Sequence, residues 1–507
     1  MGGVTMSQVD YTDVQGLVRF GYKKMTNASY ALLRVKDASM ARAWLHAAPV
    51  TSAVEVNPPP TTALQVALTA PGLEALGVPA SVIADFSHEF RGGMAEESRS
   101  RQLGDVEANG PEHWSWGGPG RVPHLMVMFF GEPGPFETFV QTSKGPSWND
   151  AFDTLAGLDT SDFGGVEGFG FADGISQPEI DWNQRLTVPR TQLDYTNIVA
   201  LGEFLLGYRN EYGKYTRRPL LEDSATSADL PAAEDARGKK DLGRNGTYLV
   251  LRQLQQDVRM FWQFALQQSG GDIAQAEKLA SAMVGRTRSG DPLEPIQEQP
   301  IPGIHTTPGQ KEQNRFTFDQ DPDGSRCPFG AHVRRANPRN TDFPNRPRNL
   351  LTKLITMLGF GPEGLCDDLT SSVRFHRIVR RGREYGTRLD LEQALAPVPA
   401  GNSHPESGLH FICLNANILR QFEFLQNAWL NSTKFSGLTG ESDPLLGNRV
   451  ALPGSAVTSD FTLQKSAGLR RRVSGMPQFI KVRGGAYFFM PGIKALRYFG
   501  RTGSSNP

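Results

Sequence analysis

The residue with the clearest potential for chemistry is a histidine in the segment Cys327-Pro-Phe-Gly-Ala-His-Val-Arg-Arg335, where small and apolar residues precede two arginines. An imidazole whose second nitrogen is held by an acceptor is a good axial ligand for a haem iron, so His332 is a candidate for that role. A lone histidine in such surroundings is more often an ordinary core or loop residue. The three cysteines form no Cys-x-x-Cys-His attachment site, so any haem would be bound without a covalent link.

A second candidate is a carboxylate in the glycine-rich segment from Gly164 to Pro178. Asp173 is its only aspartate, and Phe169 and Phe171 bring apolar surface close to it. Because apolar surroundings raise the pKa of a carboxyl group, Asp173 is expected to accept and return a proton. The alternative interpretation is a Gly-Asp turn in a loop. The glycines do not follow a strand–GxGxxG–helix pattern, which disfavours dinucleotide binding.

A third candidate is the arginine-rich segment 373–386, in which five arginines are interleaved with apolar residues. Alternation along a strand would direct some guanidiniums inward, where an arginine binds a haem propionate or stabilises developing negative charge. A solvated basic strand is the alternative. A nucleic-acid surface is disfavoured because the chain has 53 basic and 53 acidic residues and so no net charge.

The elements that must position these residues follow a similar pattern in both halves of the chain. Strand-like apolar runs lead into helix-like stretches, and the runs lie at 30–36, 64–68, 124–130, 247–252 and 409–414. The pattern predicts an α+β fold of two ferredoxin-like domains, each an antiparallel sheet with peripheral helices. We place the domains at 1–220, including the Gly-Asp segment, and 221–507. A proline-rich stretch at 285–314 is predicted to be a long loop that covers a ligand.

Composition bounds the remaining possibilities. With 38% hydrophobic and 21% charged residues, the chain is typical of a soluble globular protein. It contains no apolar run of the roughly 18 residues that a membrane span requires, and its first residues lack the pattern of a signal peptide. We therefore expect a cytoplasmic protein without membrane or nucleic-acid partners, or a secreted one if the N-terminus is processed or incomplete.

Three motifs, taken in order, resemble the signature set of the dye-decolourising-type haem peroxidases. They are Gly170-Phe-Ala-Asp-Gly174, Ala331-His-Val-Arg-Arg-Ala-Asn-Pro-Arg339 and Val379-Arg-Arg-Gly382. The resemblance extends to 13–16, 409–411 and 484–492, and so covers most of the chain. In length the chain resembles the longer, fungal-type members of the family.

The resemblance implies an enzyme that reduces hydrogen peroxide and oxidises bulky dyes and phenolic compounds. It implies one heme b per chain, bound non-covalently, in a pocket mainly in the C-terminal half. His332 would be the proximal iron ligand, Asp173 the distal acid/base and Arg380 the distal guanidinium. The gap between His332 and Arg380 is longer than usual for the family, which leaves Arg381 as an alternative for the distal role.

Further roles follow from the same resemblance. Leu409 and Phe411 would narrow the distal pocket, and Asp443 would hydrogen-bond the proximal imidazole, although its spacing departs from the family pattern. Tyr385 and Trp429 match positions of surface radical sites in similar fungal enzymes, and ordinary packing is the alternative for both. The expected partners are hydrogen peroxide and aromatic reductants, with the chain a monomer or weak homodimer. Two alternatives remain, a chlorite-converting haem enzyme and a non-catalytic haem-binding or iron-handling protein.

Overall fold

The fold is built around one antiparallel sheet that contains strands from both halves of the chain. The computed structural model describes residues 8–186, 197–296, 312–318, 320–339, 373–397, 406–450 and 458–501. Part of the loop predicted at 285–314, residues 297–311, lies outside the described residues.

The N-terminal unit has the strand and helix order of a ferredoxin-like domain. It comprises β1 (Asn27–Val35), α1 (Ala38–Ala47), β2 (Thr62–Leu68), the short helices α2 (Ala70–Ala75), α3 (Ala80–Ile83), α4 (His88–Gly92) and α5 (Glu97–Leu103), β3 (Leu125–Gly131), α6 (Phe136–Lys144), α7 (Trp148–Ala151) and β4 (Phe152–Asp159). Its strands pair antiparallel in the order β4-β1-β3-β2.

A long connection, 160–246, leads to the second unit. It contains two small ladders, the parallel pair β5 (Glu179–Asp181) and β6 (Ile198–Ala200) and the antiparallel pair β7 (Leu220–Glu222) and β8 (Lys239–Asp241). The domain boundary that we predict after residue 220 falls inside this connection, and its position stays a prediction.

The C-terminal unit repeats the arrangement. It comprises β9 (Thr247–Gln256), α8 (Val258–Gln268), α9 (Ile273–Val284), α10 (His332–Ala336), β10 (Val379–Arg380), β11 (Arg383–Gly386), α11 (Leu391–Leu395), β12 (Ser407–Asn415), two π-helical segments (Leu419–Glu423 and Leu425–Leu430), β13 (Phe461–Leu463), β14 (Arg471–Val473), β15 (Ile480–Met490) and α12 (Ile493–Arg501). Strands β10 and β11 pair with β12, which pairs with β9, which pairs with β15. The predicted α+β class with two ferredoxin-like units is therefore confirmed.

The two units share their sheet and their cores. A contact between Phe489 of β15 and Leu68 of β2 joins the two sets of strands edge to edge. Because successive side chains of a strand point to opposite faces, the sheet has one core on each side. Val127 and Val250 lie in one core, whereas Met126 and Leu251 lie in the other, so each core contains strands of both units.

Aspartates start several of the helices. The side chains of Asp37, Asp257 and Asp272 each accept a hydrogen bond from a backbone N–H in the first turn of α1, α8 and α9, at 2.8, 2.9 and 3.1 Å. These bonds satisfy N–H groups that have no partner within the helix. Among the residues that the structure describes, no helix combines the length and apolar character needed to cross a bilayer.

Candidate active site

The three candidate segments meet at a single cavity. Asp173, His332 and Arg380 all line it. The sheet of the C-terminal unit supplies much of the wall, and apolar lining side chains include Leu254, Phe411, Phe422, Leu425, Leu445 and Ile480. Since most lining residues lie beyond residue 246, the cavity is mainly in the C-terminal half, where the sequence predicts it.

On one side of the cavity, an imidazole is held by a buried carboxylate. Nδ1 of His332 lies 3.0 Å from Oδ2 of Asp443, whose side chain is 0% exposed, while the His332 side chain is 27% exposed towards the cavity it lines. The backbone N–H groups of Leu445 and Leu446 donate to Oδ1 of Asp443 at 2.9 and 2.8 Å. The carboxylate is thus fixed, and Nε2 is the imidazole nitrogen left for a ligand in the cavity.

The two arginines after His332 anchor its helix. The guanidinium of Arg334 donates to Oδ2 of Asp321 at 2.8 Å and to the carbonyl of Cys327 at 2.6 Å. That of Arg335 donates to the carbonyls of Trp429, Ser432 and Glu441 at 2.8, 3.0 and 2.7 Å. These buried contacts fix the short helix α10 at whose start the imidazole lies.

A carboxylate and a guanidinium form an ion pair in the same cavity. Nη1 of Arg380 donates to Oδ1 of Asp173 at 2.8 Å, and both side chains are about a third exposed to the cavity, at 32% and 33%. The side chain of Gln177, in the same glycine-rich segment as Asp173, makes two hydrogen bonds to the backbone of Arg380. Its Nε2 donates to the carbonyl of Arg380 at 3.1 Å, and its Oε1 accepts from the N–H of Arg380 at 3.0 Å. The glycine-rich segment is thereby attached to strand β10.

The pKa of Asp173 differs from the sequence-based expectation. Burial alone would raise the pKa of Asp173, but the charge of Arg380 and hydrogen bonds from Arg380 and from the backbone of Gly174 outweigh it and lower the pKa. The expected rise is therefore wrong, and Asp173 is an ionised base. Burial likewise opposes ionisation of Asp443 and of His332, yet their mutual attraction lowers the pKa of Asp443 and raises that of His332.

The structure distinguishes between the two distal arginines. Arg381 donates from Nε and Nη2 to the carbonyls of Leu17 and Val18 at 2.7 and 3.0 Å, and it does not line the cavity. Of the two arginines, Arg380 is therefore the one that lines the cavity and contacts Asp173, whereas Arg381 attaches the strand to the N-terminal segment. On β12, Leu409 and Phe411 line the cavity as predicted, whereas the intervening His410 faces away and its ring nitrogen lies 3.1 Å from the carbonyl of Asp159.

Comparisons with known proteins point to one family. No model of a protein family matches the chain. It is 26% identical over 517 residues to peroxidase 2 of Mycetinis scorodonius, across 96% of this chain and 87% of that protein. It is 26% identical over 519 residues to a dye-decolorizing peroxidase of Auricularia auricula-judae, across 97% and 87%. The crystal structure of a fungal DyP-type peroxidase from Auricularia auricula-judae covers 98% of this chain and 100% of its own, with a TM-score of 0.70 and 25% identity. The chain is thus similar to dye-decolourising peroxidases over nearly its whole length.

Members of the dye-decolourising peroxidase family are haem enzymes, and the residues of the cavity fit haem. The imidazole of His332 supplies an iron ligand, and the apolar wall suits a macrocycle. Arg286 also lines the cavity, is 4% exposed and has an Nη2 without a hydrogen-bond partner among the described residues. Burial, followed by the charges of Arg339 and Arg380, lowers the pKa of Arg286 to about 9. A buried cation with an unsatisfied donor suits the carboxylate of a haem propionate.

Neither predicted radical residue lies at the surface. Trp429 is 6% exposed and lines the cavity, with its ring centroid 5.3 Å from that of His376. Tyr385 is 8% exposed, stacks on His410 at 4.4 Å and donates to Oε1 of Glu406 at 3.0 Å. The predicted surface location is wrong for both rings, because strand pairing covers Tyr385 and packing inside the C-terminal unit covers Trp429. Electron transfer through either residue stays a prediction.

Three functional candidates were missed in the sequence. Gln177 and Glu167 lie within the glycine-rich segment, where the glycines and Asp173 give the stronger signal. Burial raises the pKa of Glu167 to about 7. Arg286 opens the proline-rich stretch, and its inward position depends on a hydrogen bond from Nη1 to the carbonyl of Gly290 at 2.8 Å. None of these contacts has a periodic signature in the sequence.

Proposed function

We propose that this chain is a haem peroxidase that reduces hydrogen peroxide and oxidises bulky dyes and phenolic compounds. The observation that carries the proposal is that His332, whose imidazole is held by the buried Asp443, lines the same cavity as the ion pair of Asp173 and Arg380. His332 with Asp443 forms an iron-binding side, and Asp173 with Arg380 forms a side suited to proton transfer. The similarity to fungal peroxidases over nearly the whole chain supports the same reaction class.

Asp173 is the proton-transfer group of the proposed reaction. When bound, haem would supply the iron and the two-electron redox capacity that the reduction of hydrogen peroxide requires. One oxygen of hydrogen peroxide leaves as water. The carboxylate of Asp173 accepts the proton of the other oxygen and passes it to the leaving one. Its lowered pKa suits the first of these steps, because the group must be ionised to act as a base.

Arg380 and Asp443 hold charges on the two sides of the cavity. The guanidinium of Arg380 remains cationic and stabilises negative charge that develops on the departing oxygen. Asp443 accepts the N–H of the imidazole, so that Nε2 of His332 keeps its lone pair for the iron. The 2.8 Å contact between Arg380 and Asp173 also orients the carboxylate before peroxide enters.

Bulky reductants would give up electrons without entering the cavity. Leu409 and Phe411 line the cavity, and their apolar side chains would narrow it to suit a small molecule. Trp429 lines the same cavity, and its indole is the oxidisable side chain that we assign to the electron path. Phenols and dyes are electron-rich aromatics and therefore suitable donors for such a path.

The haem type, the number of haems per chain, the oligomeric state and the location are also part of the proposal. Heme b is favoured as the haem type because the sequence has no Cys-x-x-Cys-His attachment site, and one His332 per chain implies one haem per chain. A monomer or weak homodimer, and a cytoplasmic location, stay predictions. Among the alternatives, a non-catalytic haem carrier would need His332 but would not need a carboxylate and guanidinium paired opposite it.

An absorption spectrum of the purified protein tests the proposal. We expect a Soret band, a shift of that band on addition of hydrogen peroxide, and its return when a phenol or dye is added. A Soret band that hydrogen peroxide leaves unchanged would favour the haem carrier. The absence of haem after reconstitution would contradict the proposal.

A further inference from the structure

The carboxylate of Glu167 lies at the centre of the loop that carries Asp173. Its Oε2 accepts the backbone N–H of Phe169 and its Oε1 that of Phe171, both at 3.0 Å. The backbone closes the same loop, since the N–H of Gly170 donates to the carbonyl of Glu167 at 2.8 Å and the N–H of Glu167 to the carbonyl of Phe171 at 2.9 Å. Four hydrogen bonds thus fix residues 167–171.

A side chain from the sheet completes the coordination of this carboxylate. Nε2 of Gln256, at the end of β9, donates to Oε2 of Glu167 at 2.5 Å. The approach needs a glycine beside it, because a Cβ at Gly168 would lie 2.7 Å from Oε1 of Gln256. The two oxygens of Glu167 therefore accept three donors, the N–H groups of Phe169 and Phe171 and Nε2 of Gln256. A glutamine at position 167 has only one acceptor oxygen and would leave a donor unsatisfied.

The loop that Glu167 holds is clamped on its other side by α8. The ring of Phe169 lies 4.4 Å from that of Phe261, and the ring of Phe171 is parallel to that of Trp262 at 6.1 Å. Nε1 of Trp262 donates to the carbonyl of Phe169 at 3.0 Å. The position of the loop is therefore determined by the helix on one side and by Gln256 through Glu167 on the other.

This loop leads directly into the proton-transfer group. Asp173 follows Phe171 by two residues, and both line the cavity together with Glu167 and Gln256. Gly170 has φ +91°, a left-handed conformation that a glycine adopts without strain and that directs the chain back towards the cavity. A displacement of Phe171 would be passed on to Asp173, and proton transfer is sensitive to errors of about 1 Å.

We infer that Glu167 is a positioning residue for the peroxide reaction, one that sets the placement of Asp173 without touching the peroxide itself. The inference rests on the proposed function, because it concerns the same proton-transfer step. It assigns to a buried glutamate a role beyond packing, namely to join the Gly-Asp loop to the sheet.

Two variants of the holoenzyme test this role, with the peroxide rate measured per bound haem by stopped-flow absorption. Glu167→Gln should keep the Soret band and lose at least about tenfold in rate, because the loop loses an acceptor. Glu167→Asp, which retains the charge but withdraws the oxygens by one methylene, should also be slow. Glu222→Gln, at a glutamate of β7 whose side chain is 79% exposed and paired with Lys239, is the matched control and should react as the wild type does.

The outcomes separate positioning from packing. A wild-type rate per bound haem in Glu167→Gln, or a loss only of haem content and melting temperature with that rate unchanged, would overturn the inference. A Glu167→Asp variant that reacts at the wild-type rate per bound haem would overturn it as well. If the wild-type holoprotein itself does not react with hydrogen peroxide, the proposed function fails. The wild-type measurement alone identifies that result, so the two failures are distinguishable.

Discussion

At the scale of single residues, the protonation of Asp173 depends on a partner that the sequence does not reveal. The nearby phenylalanines predict a raised pKa, whereas Arg380, 207 positions away, lowers it. The residues next to Asp173 in the sequence indicate how far it is desolvated. They do not reveal that folding places Nη1 of Arg380 2.8 Å from its Oδ1. The same holds for Asp443, since the sequence suggests an acid near His332 only through resemblance and the contact itself depends on the loop after the π-helical segments.

Removal of the Arg380 charge should change the pH dependence of the peroxide reaction. In the wild type the pKa of Asp173 lies below its ordinary value of 3.8, so the base remains ionised until the pH falls below that value. In Arg380→Leu the effect of burial remains without the compensating charge, so the pKa rises and the acid limb of the rate profile moves to higher pH. Stopped-flow rates between about pH 3 and pH 8 would show the shift.

The matched control for this variant is Arg101→Leu, a surface arginine that is 66% exposed. It should leave the acid limb in place. An Arg380→Leu profile that is lower in rate but inflects at the wild-type pH would contradict the assigned effect of the guanidinium on Asp173.

Arg286 should influence haem binding and apoprotein stability in opposite directions. Arg286→Met removes a buried cation with an unsatisfied donor, so the apoprotein should unfold at the same or a higher temperature. Haem affinity, measured by Soret titration of the apoprotein, should fall because a propionate loses its partner. Arg217→Met, which alters an exposed arginine, should change neither quantity. Unchanged haem affinity in Arg286→Met would show that this arginine does not hold the haem.

At the scale of elements, most strands and helices could be predicted, but the helix that carries Trp429 could not be predicted in detail. The pattern at 418–430 indicates a helix, and the structure has two π-helical segments there. The wider turns of a π-helix change which side chains face one side, and apolar periodicity at the α-helical spacing does not reveal this change. Phe422, Leu425 and Trp429 line the cavity as a result.

Trp429→Phe should separate the two half-reactions. The peroxide reaction should remain within about twofold of the wild-type rate, because Trp429 touches neither Asp173 nor Arg380, while oxidation of a bulky dye should fall at least about tenfold. Steady-state dye turnover and stopped-flow peroxide rates measure the two effects. Trp44→Phe, at a half-buried tryptophan of α1 that packs on Trp148, is the control and should affect neither. An equal loss in both reactions would assign Trp429 to packing.

At the scale of the whole molecule, the two ferredoxin-like units form one structure. The sequence predicts two similar halves because each repeats the same order of strands and helices. It does not reveal the pairing of β15 with β2, which joins residues more than 400 positions apart. Nor does it reveal that both cores draw side chains from both units, since the alternation of a strand states which residues share a face but not which neighbour covers that face.

The shared cores predict cooperative unfolding. The apoprotein should show one calorimetric transition, with equal calorimetric and van't Hoff enthalpies, because neither unit can unfold without exposing the core of the other. Differential scanning calorimetry provides the measurement. Two resolved transitions would indicate that the units at 1–220 and 221–507 are energetically independent.

The central claim, that Asp173 transfers the proton during peroxide reduction opposite a haem held by His332, is tested most directly by stopped-flow absorption of the Asp173→Asn holoprotein. The variant should bind haem with an unchanged Soret band and react with hydrogen peroxide at least about a hundredfold more slowly than the wild type. A variant that reacts at the wild-type rate across the pH range would contradict the claim.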